Sequence, residues 1–336
     1  MDLNIVWFLL VGVLIIGYAI LDGFDLGVGI IHLFTKNEEQ KSINLNAIGP
    51  VWDGNEVWLL TGGGALFAAF PIVYATVFSA FYLAFVLLLA ALIFRAVSFE
   101  FRKYSDPAKK KYWDFAFGVG SLIPALLYGV AIGNILRGLP LDGKGLFHGS
   151  FLGLLNPYSL IVGLTSLSMF FMHGAIYLAM KSDGAQRDKM SKWAGNGLLV
   201  FLLLYVISTI ITFSSDYYLV QFYNNPLFWI LLLLLLASII YIPVGLRTKK
   251  YGRTFTASSL MIAAMTLLVA LSLFPRLVPS SIDLDYSLTI YNASSTQGTL
   301  LNMLIIALIG VPIVIGYTIY IYRVFKGKVI IDNDSY

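Results

Sequence analysis

Asp22, Asp25, Asp53 and Glu56 are carboxylates set within apolar runs of membrane-spanning length. Asp22 and Asp25 interrupt NIVWFLLVGVLIIGYAILDGFDLGVGIIHLF, and Asp53 and Glu56 open VWDGNEVWLLTGGGALFAAF. A charge in hydrocarbon costs about 2.5 kcal/mol or more, so acids at such positions are rare and mark ion or proton pathways. Each pair is spaced i, i+3, which puts both members on one helix face. Two acid-bearing faces on consecutive helices describe one hydrated, proton-accessible site. Trp52, Asn55 and Trp58 flank the second pair with interfacial aromatics and an amide, and Arg95 and Glu100 bring further charge into the next apolar stretch.

The elements that position these residues follow from composition. The chain has 336 residues, 59% of them hydrophobic and 12% charged. Globular domains carry about 25% charged residues, so this is an integral membrane protein with no length left over for a soluble domain. With no cysteine, disulfides, thiolate zinc sites and iron–sulfur clusters are excluded. The net charge of +4 reports orientation rather than nucleic acid. The first apolar run lacks a positive n-region and a small-residue cleavage site, so it is expected to stay as a helix.

Runs near the ~20-residue spanning length predict nine helices, at roughly 3–34, 51–70, 72–102, 113–136, 157–181, 191–213, 226–246, 254–275 and 300–324. Pro71 separates the second from the third and implies a tight hairpin, while Pro124, Pro243 and Pro312 fall inside spans and should kink them. All but three of the 22 lysines and arginines fall on one side of this arrangement; Arg137, Lys144 and Arg276 are the exceptions. The positive-inside rule then sets the N-terminus outside and the C-terminus in the cytoplasm, as an odd helix count requires. On that orientation all four acids lie toward the cytoplasm. Arg95 comes to a similar depth, where it can compensate part of their charge.

Blander readings stand beside these. Asp53 and Glu56 suit the first turn of any helix, where the dipole favours acids. Asp22 and Asp25 lie among Gly23, Gly27 and Gly29, so they also suit a close helix contact with acids bonded to a neighbouring backbone. Gly62, Gly63 and Gly64 follow no strand and precede no Lys-Ser/Thr, which excludes a phosphate loop and favours close helix packing. Gly129 and Gly133 form a GxxxG packing face. The chain holds three histidines, His32, His148 and His173. His32, His173 and the methionines have the chemistry of axial haem ligands, but no two histidines share a depth on facing helices. Asn292-Ala293-Ser294 matches a glycosylation sequon by pattern and reads as an ordinary outer loop. The outer stretch at 276–299 is long enough to cap the bundle or meet a partner.

These motifs resemble subunit II of the cytochrome bd-type quinol oxidases, in its short form without long loop insertions. The likeness is carried by LDGFDLGVG at 21–29, GPVWDGNEVWLLTGGGALFAAFP at 49–71, FRAVSFEFR at 94–102, FPRLVPSS at 274–281 and NASSTQGTLLNM at 292–303. The resemblance implies an all-α fold of two four-helix bundles plus one peripheral helix, in a multi-pass protein of the bacterial cytoplasmic membrane. It implies a respiratory oxidoreductase that takes electrons from quinol and reduces dioxygen to water. Two b-type haems and one d-type haem are then held by subunit I, against which subunit II packs pseudosymmetrically without ligating haem. Some members add a structural quinone in subunit II, and the assembly has room for a small third single-helix subunit and for membrane lipid. The family's cytoplasmic proton pathway at the subunit interface makes Asp53 a proton-pathway acid. For Asp22, Asp25, Glu56 and Glu100 the same role rests on the physical argument above, with Arg95, Asn55 and Trp52 in support.

Two other classes stay open on the residues alone. A secondary transporter would use such acids to couple proton and substrate movement, although the chain shows no internal repeat and its acids cluster away from the midplane. A purely structural subunit would use them only to hold helices together.

Overall fold

The computed structural model describes residues 2–215 and 222–330. Twelve helices run in chain order: α1 (Leu3–Leu33), α2 (Glu38–Ile48), α3 (Trp52–Ala69), α4 (Pro71–Ala80), α5 (Tyr82–Lys103), α6 (Lys110–Arg137), α7 (Phe151–Leu154), α8 (Pro157–Lys181), α9 (Gly184–Ser214), α10 (Pro226–Arg247), α11 (Tyr251–Leu273) and α12 (Gln297–Val324). Several of them start on a capping side chain. Asp2 accepts from the Asn4 amide at 2.9 Å, and Asn156, Asn225 and Thr296 cap α8, α10 and α12 in the same way. Pro157 and Pro226 occupy the first turn, where a missing N–H is harmless.

Among the described residues, eight helices are long and apolar enough to cross a membrane: α1, α5, α6 and α8 to α12. Of the nine expected runs, the second is α3, an 18-residue helix whose first turns carry Asp53, Asn55 and Glu56 and so lower its hydropathy. The third expected run, 72–102, is two helices rather than one. The backbone leaves helical geometry at Phe81 (φ −98°, ψ 21°), in the bridge region between the α and β wells. Neither proline nor glycine marks that break, so sequence punctuation gave no sign of it. Stacked rings run across it instead, Tyr74 on Phe78 at 4.0 Å and Phe78 on Phe85 at 4.1 Å. Helix α2 lies where a loop was expected. Eleven residues are too few to span, and its exposed, polar first turn precedes the buried Asn44, Leu45, Ala47 and Ile48.

Helix α1 is the axis of the structure, packed on α3, α6, α8 and α11. Its crossing with α8 is close. A Cβ on Gly27 would stand 1.9 Å from the Phe170 carbonyl oxygen, and one on Gly174 would meet the Gly27 backbone at 2.5 Å. Gly129 and Gly133 also pack closely on α8, where a Cβ would stand 2.4 Å from the Val162 carbonyl oxygen and 2.8 Å from the Ser159 Cα, respectively, as the GxxxG spacing predicts. The Gly62–Gly64 run behaves differently: a Cβ on Gly63 or Gly64 meets nothing within 4 Å. Among the described residues only Gly62 of that run is packed, buried with Leu14 at an ordinary 3.7 Å from its Cβ position.

The 276–299 stretch forms a small antiparallel pair, β1 (Arg276–Val278) with β2 (Leu288–Thr289). It is stitched to the 138–148 loop: Leu139 N–H donates to the Pro279 carbonyl at 2.9 Å and Ser281 N–H to the Leu139 carbonyl at 2.8 Å. Val278, Leu288, Ile290 and Ala293 pack with Trp7, Phe70 and Leu300 into an apolar centre. The stretch thus caps one end of the bundle. Asn292 serves inside it, its amide donating to the Ser287 carbonyl at 2.9 Å.

Candidate functional site: a buried charge cluster

Three helices bring the expected acids together. Asp22 and Asp25 from α1 are fully buried, as is Arg95 from α5. The Arg95 guanidinium donates to Asp22 at 2.9 Å and reaches Glu56 of α3 at 3.5 Å. Its charge centre also lies 5.9 Å from the Trp52 ring, within cation–π range. Trp52 is held flat by stacking on Phe99 at 5.3 Å. One cation therefore faces two acids and a π face. A cation this deep persists only when paired, because an unpaired charge in low dielectric is costly.

Asp25 has a different partner. The Asn55 side-chain amide donates to Asp25 Oδ2 at 2.7 Å and to the Leu21 carbonyl at 3.3 Å. Tyr322, on the last turns of α12, donates its hydroxyl to Asn55 Oδ1 at 2.9 Å. With both ends engaged, the amide is fixed so that Asp25 sees N–H rather than C=O. Asp25 Oδ1 keeps no hydrogen-bond partner, which leaves one carboxylate oxygen for a proton or a water.

The remaining expected residues lie apart from this buried group. Asp53 and Glu100 are exposed. Asp53 shares a face of α3 with Glu56, whose side chain is 20% exposed and so stands between surface and interior. Each step from Asp53 through Glu56 to Asp22 goes deeper.

A second charged cluster escaped the sequence reading. Asp114 of α6 takes hydrogen bonds from His32 Nε2 at 2.7 Å, Lys41 Nζ at 2.7 Å and Arg102 Nε at 2.5 Å. Glu38 of α2 bonds Lys41 at 3.0 Å and Arg102 at 2.8 Å. Partial burial pushes the Glu38 carboxyl up and the Lys41 ammonium down. The hydrogen bonds that Lys41 makes to both acids, together with Arg102, outweigh it: Glu38 sits below its ordinary value and Lys41 above. The cluster ties the ends of α1, α5 and α6 to α2. On its other side α2 is bonded to α9, Gln186 to Asn44 at 3.1 Å and Lys189 to Gln40 at 3.0 Å. Lys41 and His32 are 73 and 82 residues from Asp114 in the chain, so no local spacing announces those bonds.

The other histidines are also engaged. His173 bonds Ser258 at 2.7 Å and the Ile20 carbonyl at 3.1 Å, and His148 bonds Asp142 at 2.9 Å. Among the described residues no group of three or more His, Cys, Asp or Glu is arranged to hold a metal ion. A cavity of about 220 Å³ lies between α6, α8, α9, α10 and α11, with apolar walls and the hydroxyls of Tyr128, Tyr158, Thr209 and Thr212 on its lining.

A bundle of apolar helices with buried, mutually bonded acids and a central arginine is a polytopic membrane protein built to keep charge inside the membrane. The comparisons say which. The sequence pattern described as cytochrome bd terminal oxidase subunit II matches residues 3–325. The chain is 38% identical to the probable cytochrome oxidase subunit 2 of Haemophilus influenzae, over 97% of this chain and 95% of that one. It is 36% identical to the cytochrome bd-I ubiquinol oxidase subunit 2 of Escherichia coli K12, over 97% and 95%. It is 38% identical to the cytochrome bd ubiquinol oxidase subunit 2 of Bacillus subtilis, over 98% and 97%. A chain of the bd oxidase from Geobacillus thermodenitrificans has the same fold, with a TM-score of 0.80 at 19% identity, covering 97% of this chain and 99% of that one. The chain belongs to the cytochrome bd terminal oxidase subunit II family. It is thus a subunit of a quinol oxidase, an oxidoreductase complex of the bacterial membrane formed with subunit I.

Proposed function

We propose that the chain is the haem-ligand-free subunit II of this oxidase and supplies part of a cytoplasmic proton route for the reduction of dioxygen to water. The observation that carries this reading is the graded series of acids: Asp53 at the surface, Glu56 half-buried, then Asp22 and Asp25 fully buried around Arg95.

Electrons that arrive inside the membrane need protons to balance them. In this reading Asp53 collects a proton at the cytoplasmic face and Glu56 passes it inward. Arg95 pairs with Asp22 at 2.9 Å and offsets the cost of burying a carboxylate there. Asn55, oriented by Tyr322, holds Asp25 with one oxygen toward the arriving proton. The two b-type haems and the d-type haem lie in subunit I and supply the redox chemistry, with quinol as the electron donor. The histidines of this chain are taken up by Asp114, Ser258, Ile20 and Asp142, which supports a subunit that ligates no haem. A structural quinone suits the hydroxyl-lined cavity between α6, α8 and α9: its walls are apolar, and the Tyr128 hydroxyl, without a partner among the described residues, would donate to a ring carbonyl.

For topology, the reading counts nine spans with the N-terminus outside and the C-terminus cytoplasmic, taking α3 as one span and α4 with α5 as another. Two four-helix groups, α1, α3, α5, α6 and α8 to α11, then carry α12 as the peripheral helix. The low burial of α12 supports this: among its described residues only Leu300 and Leu304 are buried. Subunit I packs on the open face of α3, where Leu60 and Phe67 are exposed beside glycines that meet nothing in this chain. A small third single-helix subunit and membrane lipid cover other exposed apolar faces.

The test is turnover of the purified complex carrying Asp53→Asn, compared with wild type at matched haem content. Asparagine keeps the shape and cannot carry a proton. We expect slower quinol oxidation with assembly and the haem spectrum intact. Equal turnover across the pH range would remove Asp53 from the route, and the acids would then be read as helix clamps.

A further inference from the structure

Helices α10 and α11 are joined by a short basic turn. RTKKYGR at 247–253 carries four cations and no acid. Arg247, Lys249, Lys250 and Arg253 are all exposed, and none of them has an ion-pair partner among the described residues. Elsewhere in the bundle some cations are paired: Lys41 and Arg102 with Asp114 and Glu38, and Lys328 with Asp183. Lys249 also adopts φ 56°, at the position after a helix where glycine is favoured. A lysine kept there holds a charge at a site where the backbone would be easier without it.

Directly below this turn lies a groove of about 490 Å³ between α10 and α11. Arg253, Tyr241 and Thr256 line it near the turn; Ala237, Leu234 and Leu260 line its far part. On each helix the lining residues recur at three and four, so they form one stripe. From Tyr241 to Leu234, and from Arg253 to Leu260, the stripe runs seven residues, about 10 Å. The hydrocarbon half of one leaflet is about 15 Å deep. The groove is thus cationic at the membrane surface and apolar below, on the scale of one leaflet. Exposed Leu233, Leu236 and Ile240 beside it face hydrocarbon.

We propose that the α10–α11 groove is a binding site for an anionic phospholipid, with the phosphate held by Arg253 and the neighbouring lysines and an acyl chain laid on Ala237, Leu234 and Leu260. Basic pockets between transmembrane helices have the chemistry that recognises such head groups. The apolar depth of the groove selects a lipid over a free phosphate, and the unpaired charge selects an anionic lipid over a zwitterionic one. That the lipid belongs to the cytoplasmic leaflet follows from the orientation proposed above; the site itself does not depend on the proton route.

The test uses the whole complex with subunit I, reconstituted in nanodiscs of equal phosphatidylglycerol and phosphatidylcholine, then released for native mass spectrometry. Wild type should retain phosphatidylglycerol in preference. Arg253→Gln should lower that retention about fivefold, the factor one cation near an anionic membrane surface contributes. Lys249→Gln/Lys250→Gln should lower it further, and both changes are at exposed positions outside the packed interior. Thr256→Trp, which fills the groove without removing charge, should also expel the lipid. Equal retention of the two lipids by wild type would overturn the proposal. So would unchanged phosphatidylglycerol in the charge variants, or its displacement by excess inorganic phosphate, which would mark a free-anion site.

Discussion

Arg95→Gln tests the central feature of the structure, a cation sealed inside the membrane part of the chain. Arg95 and Asp22 are both fully buried and 2.9 Å apart. Removing one partner leaves the other as an uncompensated buried charge, which costs about 3–5 kcal/mol. Coulomb's law gives a similar figure: two unit charges about 4 Å apart at an effective dielectric near 20 attract by about 4 kcal/mol. Glu56 adds less, because its side chain is 20% exposed and partly hydrated. With an unfolding entropy of about 2.1 cal/mol/K per residue, taken from soluble domains, a loss of this size over this chain lowers Tm by roughly 4–7 °C. The assay is thermal unfolding of the purified complex, followed by haem absorbance and by loss of monodispersity. Asp22→Asn/Arg95→Gln removes both charges, with an isosteric change at 22 and a shorter side chain at 95, so it should recover more than half of the loss. If the double variant is no more stable than Arg95→Gln alone, the pair is not what holds the cluster. An Arg95→Gln complex with unchanged Tm would refute the argument outright.

Further outcomes follow from the same geometry. Asp114→Asn should weaken the bonds that His32, Lys41 and Arg102 make to Asp114, leaving Lys41 and Arg102 held by Glu38, and α2 should become the first segment cut by limited proteolysis; wild-type cleavage kinetics would count against the cluster as the anchor of α2. Gly27→Val should abolish accumulation of the chain, because its Cβ would stand 1.9 Å from the Phe170 carbonyl oxygen. Gly63→Leu should leave the chain folded and weaken retention of subunit I, as shown by co-purification. The Asp142 carboxyl, held at about 2 by its bond from His148 and by the Leu146 and Lys144 amides, has a folded value below its unfolded one. Its contribution to the 142–148 turn is therefore complete above about pH 4 and is lost as pH falls toward 2. Exchange protection of the Lys144 and Leu146 amides, corrected for intrinsic rate, should follow that window, and loss of protection already at pH 5 would contradict it.

Much of this protein was legible in one dimension because the membrane imposes rules that act along the chain. Hydrocarbon requires runs of fixed length, so most helices were visible as apolar stretches. The same hydrocarbon makes every intramembrane charge conspicuous, which is why Asp22, Asp25, Glu56 and Arg95 stood out and why a compensating role for Arg95 followed from depth alone. Gly129 and Gly133 were readable for a related reason: a small-residue face on a helix needs only periodicity to be seen.

What escaped the sequence depends on contacts between distant segments. The cluster of Asp114 with His32, Lys41 and Arg102 forms only when α1, α2, α5 and α6 converge. Tyr322 meets Asn55 across 267 residues of chain, and nothing near either residue announces the other. Helix α2 was hidden because eleven half-polar residues look like a loop until α6 and α9 provide partners for their side chains. The break at Phe81 carries no proline or glycine and is stabilised by rings that stack across it. The Gly62–Gly64 run shows the limit most plainly: its composition marks a packing surface, while whether that surface is used within the chain depends on which helices lie beside it. Sequence by itself determined which groups must be buried, since that is a matter of solvation. Which group each of them meets there was decided by the tertiary structure, since hydrogen bonds and ion pairs require atoms to come within about 3 Å.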